Sequence, residues 1–366
     1  MGGLRTGSGH RGSRRGRSGI PVPVMAVVGL ATLLGLLTAG AGVAAGTPPP
    51  ATVEAWVYPT SLGQPACAVP GELAALAVSP IAVLKPEYLT VNGRGRVVTE
   101  TAASLPCNGY SAANLAAVRS AANRVYVTVS AGTPGTRSLL ANGTRSAAAA
   151  SSIEAFVAST GMDGVDLDFE PSRWSPKSWG AYMGFVSALA GALHAVGRTV
   201  EVDLGAYTAT PWDAVRYGDV AAAGGHVVVM AYDHEFDVPC APISPYSWLQ
   251  QVVAYAQSQV PAADLTVGIP SYGYTTTTCR RVAHVTSNVA YTTMELAPGF
   301  PSTPAAVAAQ RDGASGEIRW SSGTTHFDVV DASALDAKLA VVQAMGVTDV
   351  SVWSLGGEPW FTGNPG

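Results

Sequence analysis

Four carboxylates fall within nine residues of otherwise apolar chain: Asp163, Asp166, Asp168 and Glu170. From Val165 to Phe169 apolar and acidic residues alternate, which is the period of a β-strand. Asp166, Asp168 and Glu170 then share one face, and Val165, Leu167 and Phe169 the other. Asp163 is out of phase and fits a residue that caps a turn. A solvated edge strand is the bland alternative, but Asp is depleted from strands and like charges this close repel. The flanks carry helical patterns, which marks a βα unit of a parallel sheet, buried on both faces. Carboxylates buried together are costly unless they share protons or meet partners. The pattern is that of an acid–base site.

Such a strand needs a scaffold, and the rest of the chain supplies one. Short apolar or alternating runs recur at Val53–Tyr58, Leu76–Val83, Val125–Ser130, Gly164–Phe169, Val200–Leu204, His226–Tyr232, Leu265–Ile269 and Asp349–Trp353. A hairpin is expected from Tyr88 to Val98, turning at Asn92-Gly93. Helical patterns lie at Ser111–Ala122, Ala147–Ser159, Ser175–Val196, Trp212–Ala223, Ser247–Gln259 and Ser333–Met345. Eight strands alternating with helices read as an α/β (β/α)8 TIM barrel. A doubly wound sheet would want a glycine-rich loop after its first strand, and none is present. The stretch from Ser271 to Ala332 is too long for a loop. It reads as a small α+β insertion, about residues 273–330, with strands at Val289–Leu296 and Glu317–Phe327 and a helix at Thr303–Arg311. Only Ser354 to Gly366 follows the eighth strand, so a truncated last helix is expected.

In such barrels the active site lies at the C-terminal strand ends. Glu170, the Tyr232–Asp233 pair and Trp353 arrive there on separate strands. A carboxylic acid in a cleft walled by Trp and Tyr suggests glycoside hydrolysis. The usual plan needs two carboxylates on separate strands. The end of the seventh strand, Pro270-Ser-Tyr-Gly-Tyr274, carries none, and Asp233 is the obvious remote candidate for a second. The other plan uses one protein acid and the substrate's own N-acetyl group as nucleophile. It needs a carboxylate beside the acid and a hydroxyl for the acetamido oxygen, and Asp168 and Tyr232 are placed for those tasks.

The run Asp163-Gly-Val-Asp-Leu-Asp-Phe-Glu170 resembles the DGxDxDxE signature of family 18 glycoside hydrolases, the chitinase-like family. Met230-Ala-Tyr232-Asp233 is similar to that family's MxYD motif, Gly268-Ile-Pro-Ser-Tyr272-Gly to its GxPxYG motif, and Trp353 to its strand-eight tryptophan. The resemblance implies Glu170 as general acid and then base. It implies Asp168 as the group that orients the acetamido, with Asp166 sharing its proton. Tyr232 would complete the catalytic set, with Asp233, Met230, Tyr272, Tyr58 and Trp353 in contact with the sugar. The tail Trp353–Trp360, Phe327–Ser333 and Pro86-Glu-Tyr88 resemble the spore-cortex peptidoglycan hydrolases within the family, whereas Asp166 fits the chitinases better. The expected substrate is a β-1,4-linked N-acetylglucosamine glycan, chitin or peptidoglycan. A non-catalytic glycan-binding relative on the same barrel is the alternative.

The bulk properties fit that reading. The chain has 366 residues with 48% hydrophobic and 13% charged content, enough for one large core. Residues 1–19 carry five arginines and no acid, and residues 20–46 carry no charge. This is the order of an export signal, or of a retained membrane anchor through residues 20–46. Residues 47–51 read as a Pro-rich linker and 52–366 as the hydrolase barrel. Beyond residue 46 there remain 16 bases against 25 acids, near −9, which argues against nucleic acid as a partner. The expected location is secreted or at the outer face of the membrane or cell wall, as a monomer. Four cysteines in an exported chain suggest two disulfides, and Cys67–Cys107 and Cys240–Cys279 are the expected pairs. The six histidines and the cysteines form no metal-ligand spacing, and the chemistry requires no metal and no cofactor.

Overall fold

The computed structural model describes residues 50–57, 81–103, 109–278, 283–286, 291, 293–355 and 360–363. Its strands in chain order are β1 (Thr52–Val57), β2 (Ile81–Val91), β3 (Val97–Thr99), β4 (Ala122–Gly132), β5 (Gly164–Glu170), β6 (Thr199–Gly205), β7 (His226–Met230), β8 (Leu265–Pro270), β9 (Tyr272–Thr276), β10 (Ala283–Thr286), β11 (Ile318–Ser322), β12 (Thr325–Val329) and β13 (Asp349–Leu355). Strands β1, β2, β4 to β8 and β13 run parallel to their neighbours, and β1 pairs with both β2 and β13. The sheet therefore closes into an eight-stranded barrel. Helices α1 (Ala112–Ala121), α2 (Thr133–Leu140), α3 (Gly143–Thr160), α4 (Pro176–His194), α5 (Tyr217–Ala222), α6 (His234–Asp237), α7 (Tyr246–Gln257) and α9 (Ala332–Ala344) fall between the barrel strands. The chain is a (β/α)8 TIM barrel, as the alternation of strand and helix patterns predicts.

The acidic strand shows why this sequence folds as it does. Val165, Leu167 and Phe169 are buried, and Phe169 stacks on Tyr182 of α4 with ring centres 5.1 Å apart. Tyr182 and Phe185 are core residues, as their helical spacing suggests. Gly164 opens the strand because a Cβ there would lie 2.6 Å from the Tyr126 ring and 2.8 Å from the Thr199 carbonyl oxygen. Asp163 holds the N-terminal strand ends together. Its Oδ2 accepts from the Val125 amide at 3.0 Å, and Arg198 pairs with its Oδ1 at 3.2 Å. Asp163 thus caps the opposite end of the barrel from Glu170.

Several element boundaries differ from the sequence expectation. The first arm of the expected hairpin is the continuation of barrel strand β2, with β3 folded back on it. The helix expected over Trp212–Ala223 is reduced to α5. Asp213 Oδ1 accepts from the Val215 amide, a local bond that competes with helix at this point. An added helix, α2, precedes α3. In the insertion, Tyr272–Thr276 forms a strand that periodicity did not reveal, and the expected strand Glu317–Phe327 is a hairpin broken at Gly323, whose φ is +58°. Thr293–Glu295 is helical rather than extended, and it buries Met294 against Ile318, Phe327 and Val329. The insertion is a four-stranded antiparallel sheet, ordered β10-β9-β12-β11, with the short helix α8 (Pro304–Ala308). No helix is present at 360–363, where Trp360 and Phe361 pack on the core.

Among the described residues no helix is long and apolar enough to cross a membrane, and residues 20–46 lie outside them. Cys67, Cys107 and Cys279 also lie outside the described residues, and the two expected pairings with them. Cys240 is not a free thiol.

A buried ion pair fastens the insertion to the barrel. Lys338 Nζ on α9 donates to Glu317 Oε1 at 2.7 Å, Ser244 O at 2.7 Å and Ser315 O at 3.0 Å. Glu317 also accepts from the Ile243 and Ser244 amides. Both side chains are inaccessible to water. Removing one member of such a pair leaves an uncompensated buried charge. Lys338→Met is therefore expected to cost roughly 3–5 kcal/mol in chemical denaturation. A loss under about 1 kcal/mol would mean that the pair is not the fastening described.

Candidate active site

The parallel register brings the acidic face of β5 into the barrel lumen. Asp166 lies opposite Thr128 on β4 and Glu201 on β6, Asp168 opposite Ser130, and Glu170 opposite Gly132 at the mouth. Asp166 is fully buried. Its Oδ2 accepts from Trp56 Nε1 at 3.0 Å and Thr128 Oγ1 at 2.7 Å, and its Oδ1 is 3.8 Å from Lys85 Nζ. Trp56 also donates to Asp203 Oδ2 at 3.2 Å, so one indole bridges two carboxyl groups. Trp56 is neither a plain core aromatic nor an open sugar platform.

Below these lies a cluster that inspection of single strands missed. Lys85 on β2 is wholly buried, 2.7 Å from Glu54 and 2.5 Å from Glu201, with its ammonium 4.8 Å from the Trp56 ring centre. Burial alone would strip Lys85 of its proton. Glu201, Glu54 and Asp166 outweigh that effect and hold it cationic. One ammonium cannot balance every carboxylate around it, so protons must be retained. Burial, and then the proximity of Glu54, pushes Glu201 up to about 8. Burial and the neighbouring Asp166 push Asp203 well above the usual carboxylate range. The Trp56 indole joins Asp203 to Asp166, a neighbour of Asp166 that the sequence did not reveal.

Asp168 is pushed well up by burial, then by Glu170 and Asp166, and its Oδ1 is buried with no hydrogen-bond partner in the protein. Glu170 is the outermost of the three and remains open to solvent. Partial desolvation of its carboxyl, then Asp233, raises its pKa. A further missed carboxyl is Glu87 on β2. Burial is the main cause that pushes it to about 7, and Glu100, Asp166 and Glu170 add to the rise. Glu87 stood out in the sequence only within the Pro86-Glu-Tyr88 resemblance, with no site role, because nothing in its local sequence separates it from a surface residue of a strand.

The strand ends around this cluster supply the remaining groups. Tyr232 is buried near Asp203, Asp233, Asp168 and Glu170, and desolvation with these carboxylates keeps its phenol protonated. Gly268 on β8 leaves room for it, since a Cβ there would meet Tyr232 Cε1 at 3.1 Å. Tyr272 is buried edge-on to Tyr232, with ring centres 6.1 Å apart, and its hydroxyl donates to Asp233 Oδ1. Asp233 sits in the left-handed region at φ +67°, which turns the chain out of β7. Met230, half-buried, ends that strand. Trp353 on β13 is half-buried and meets Trp56 edge to face at 5.7 Å, and a cis peptide follows it. Tyr58 lies outside the described residues. The fold thus gathers Asp166, Asp168, Glu170, Tyr232, Asp233, Tyr272 and Trp353 at the C-terminal mouth of one barrel.

Glu87 carries a pH test. An acid whose folded pKa is raised to about 7 keeps its proton in the native state after the unfolded chain has lost it. Its contribution to stability is therefore full below about pH 4 and falls as pH rises to about 7. Glu87→Gln is expected to melt at a higher temperature than wild type at pH 8, with the gap closing at pH 4. An unchanged gap across that range would show that Glu87 titrates normally.

The profile of the glycosyl hydrolases family 18 matches residues 69–358. YdhD of Bacillus subtilis (strain 168), named as a sporulation-specific glycosylase, is 29% identical over 122 residues, which span 32% of this chain and 29% of YdhD. Among solved structures, a class V chitinase from Pseudomonas fluorescens Pf-5 superposes with a TM-score of 0.67 at 21% identity, covering 86% of this chain and 97% of that one. The Bacillus cereus spore cortex-lytic enzyme SleL gives a TM-score of 0.67 at 18% identity, covering 84% and 71%. Under the carboxylate-lined mouth of its barrel, and with a family match over most of its length, this chain belongs to family 18 of the glycoside hydrolases.

Proposed function

We propose that this glycoside hydrolase cleaves β-1,4-linked N-acetylglucosamine glycans, chitin or peptidoglycan, with the substrate's own acetamido group as nucleophile and with retention at the anomeric carbon. The observation that carries the reading is the unpaired, buried Asp168 Oδ1 between Glu170 and Asp166. A carboxyl held there can accept the acetamido N–H and stabilise the oxazolinium cation as it forms. Tyr232 donates to the acetamido oxygen from the facing strand end and steadies the attacking carbonyl. Glu170, raised by desolvation, protonates the leaving oxygen and then removes a proton from the water that opens the intermediate. Asp203, its carboxyl raised by burial, stands with Asp166 behind Asp168. Trp353 offers a ring to the distorted sugar. Tyr272 fixes Asp233, which faces the same sugar.

The apolar segment at residues 20–46, after five arginines, supports a secreted or surface-anchored location. The resemblance of the tail motifs to cortex hydrolases and of Asp166 to chitinases leaves both polymers within the proposal.

Glu170→Gln is expected to lose roughly 10²–10⁴-fold in turnover of N-acetylglucosamine oligomers while remaining folded, the usual span for a general acid. Reducing-end release from purified protein measures this. Equal turnover by wild type and variant would refute the assignment of Glu170. Glucose oligomers of the same length are expected to resist cleavage. Their hydrolysis at a comparable rate would point instead to a protein nucleophile such as Asp233.

A further inference from the structure

A cavity of about 430 Å³ opens on the barrel rim directly beyond the acid strand, between the segments that leave β4 and β5. Gly132 and Glu170 lie opposite each other at the ends of those strands, and the lining begins immediately after them, at Thr133 and Pro171. The Ser172 amide donates to Thr133 Oγ1 at 2.8 Å and ties the two segments together. Arg137, Arg173 and Lys177 all line the cavity, and no acidic residue does. All three are exposed, and none forms an ion pair among the described residues. Arg173 is held over the exposed ring of Trp212, 5.1 Å from its centre. Three unpaired cations crowded together are unusual in a chain of net charge −4. The first turns of α2 and α4 meet the same cavity through Thr136 and Ser178, which adds to its positive potential. A neutral sugar would want an open aromatic face here. The one indole in the lining, Trp174, is buried and stacked on Tyr182 at 4.7 Å.

We propose that this cavity is a subsite for a carboxylate-bearing substituent of the glycan, carried past Glu170 as the polymer lies along the mouth. Peptidoglycan has such groups, on its peptide stems and on lactyl ethers that carry no stem, and chitin has none. The inference rests on the reading of the chain as a hydrolase of N-acetylglucosamine glycans and narrows its substrate to the anionic polymer.

The test compares soluble peptidoglycan fragments, the same fragments with carboxyls amidated, and neutral N-acetylglucosamine oligomers of equal length. Dissociation constants are measured calorimetrically with Glu170→Gln protein, and kcat/KM with the wild type. The carboxylated fragments are expected to bind about tenfold or more tightly than the amidated ones, with the advantage shrinking as salt rises. In the triple variant Arg137→Gln, Arg173→Gln, Lys177→Gln the ratio is expected to fall to near one, and Arg137→Lys with Arg173→Lys to preserve most of it. Fragments stripped of peptide identify the source, since a retained preference assigns it to the lactyl group and a lost one to the peptide. Equal affinity for carboxylated and amidated fragments, or a triple variant that keeps the preference, overturns the subsite. If neutral oligomers are still bound and cleaved in that case, the hydrolase reading stands alone. If no N-acetylglucosamine glycan is bound or cleaved, both fail.

Discussion

The site depends on one ammonium in the barrel lumen. Lys85 lies within ion-pairing reach of Glu54, Glu201 and Asp166, and no water-accessible surface remains on it. A lumen carrying Glu54, Asp166, Asp168, Glu201 and Asp203 without a cation would have to neutralise nearly every carboxyl by protonation. With Lys85 present the cluster keeps some charge and a small number of shared protons. Burial decides where those protons rest, since desolvation is the largest cause of the upward shift at Glu201, Asp203 and Asp168 alike.

The mouth is built by a different rule. Glu170, Asp233 and the Tyr232–Tyr272 pair sit where strands end and the chain turns, and each is fixed by backbone that cannot rearrange cheaply. Gly268 admits the Tyr232 ring, the left-handed Asp233 turns the chain out of β7, and Ser271 bonds twice to the Trp353 carbonyl across β8 and β13. The electrostatic reserve lies in the lumen, and the geometry is set at the rim. Asp168 is where the two meet.

Much of this was legible in the chain because it is local. Strand β5 announces itself by alternation, and the topology of a barrel then places Glu170, Asp233 and Trp353 at one end without knowledge of any contact. Asp163 fell out of phase and proved to fasten the far end of the barrel. Lys85, Glu54, Glu201, Asp203 and Glu87 were not legible. They sit one or two to a strand, on β1, β2 and β6, and only barrel closure and register show that they face one another. The insertion misled for a similar reason. Tyr272–Thr276 reads as the tail of β8, and only its pairing with β10 and β12 makes it a strand of a second sheet. The cationic cavity beside Glu170 likewise draws Arg137 and Arg173 from segments 36 residues apart in sequence.

The central claim is that the bond is attacked by the substrate's amide and that Asp168 supports that attack. A series of N-acetylglucosamine substrates with the acetyl group replaced by mono- and difluoroacetyl tests it directly, because each fluorine weakens the carbonyl oxygen as a nucleophile and leaves the leaving group untouched. The account predicts that kcat/KM falls stepwise, by roughly tenfold or more across the series, about 1.4 kcal/mol of transition-state stabilisation. A flat series would contradict it and assign the nucleophile to the protein.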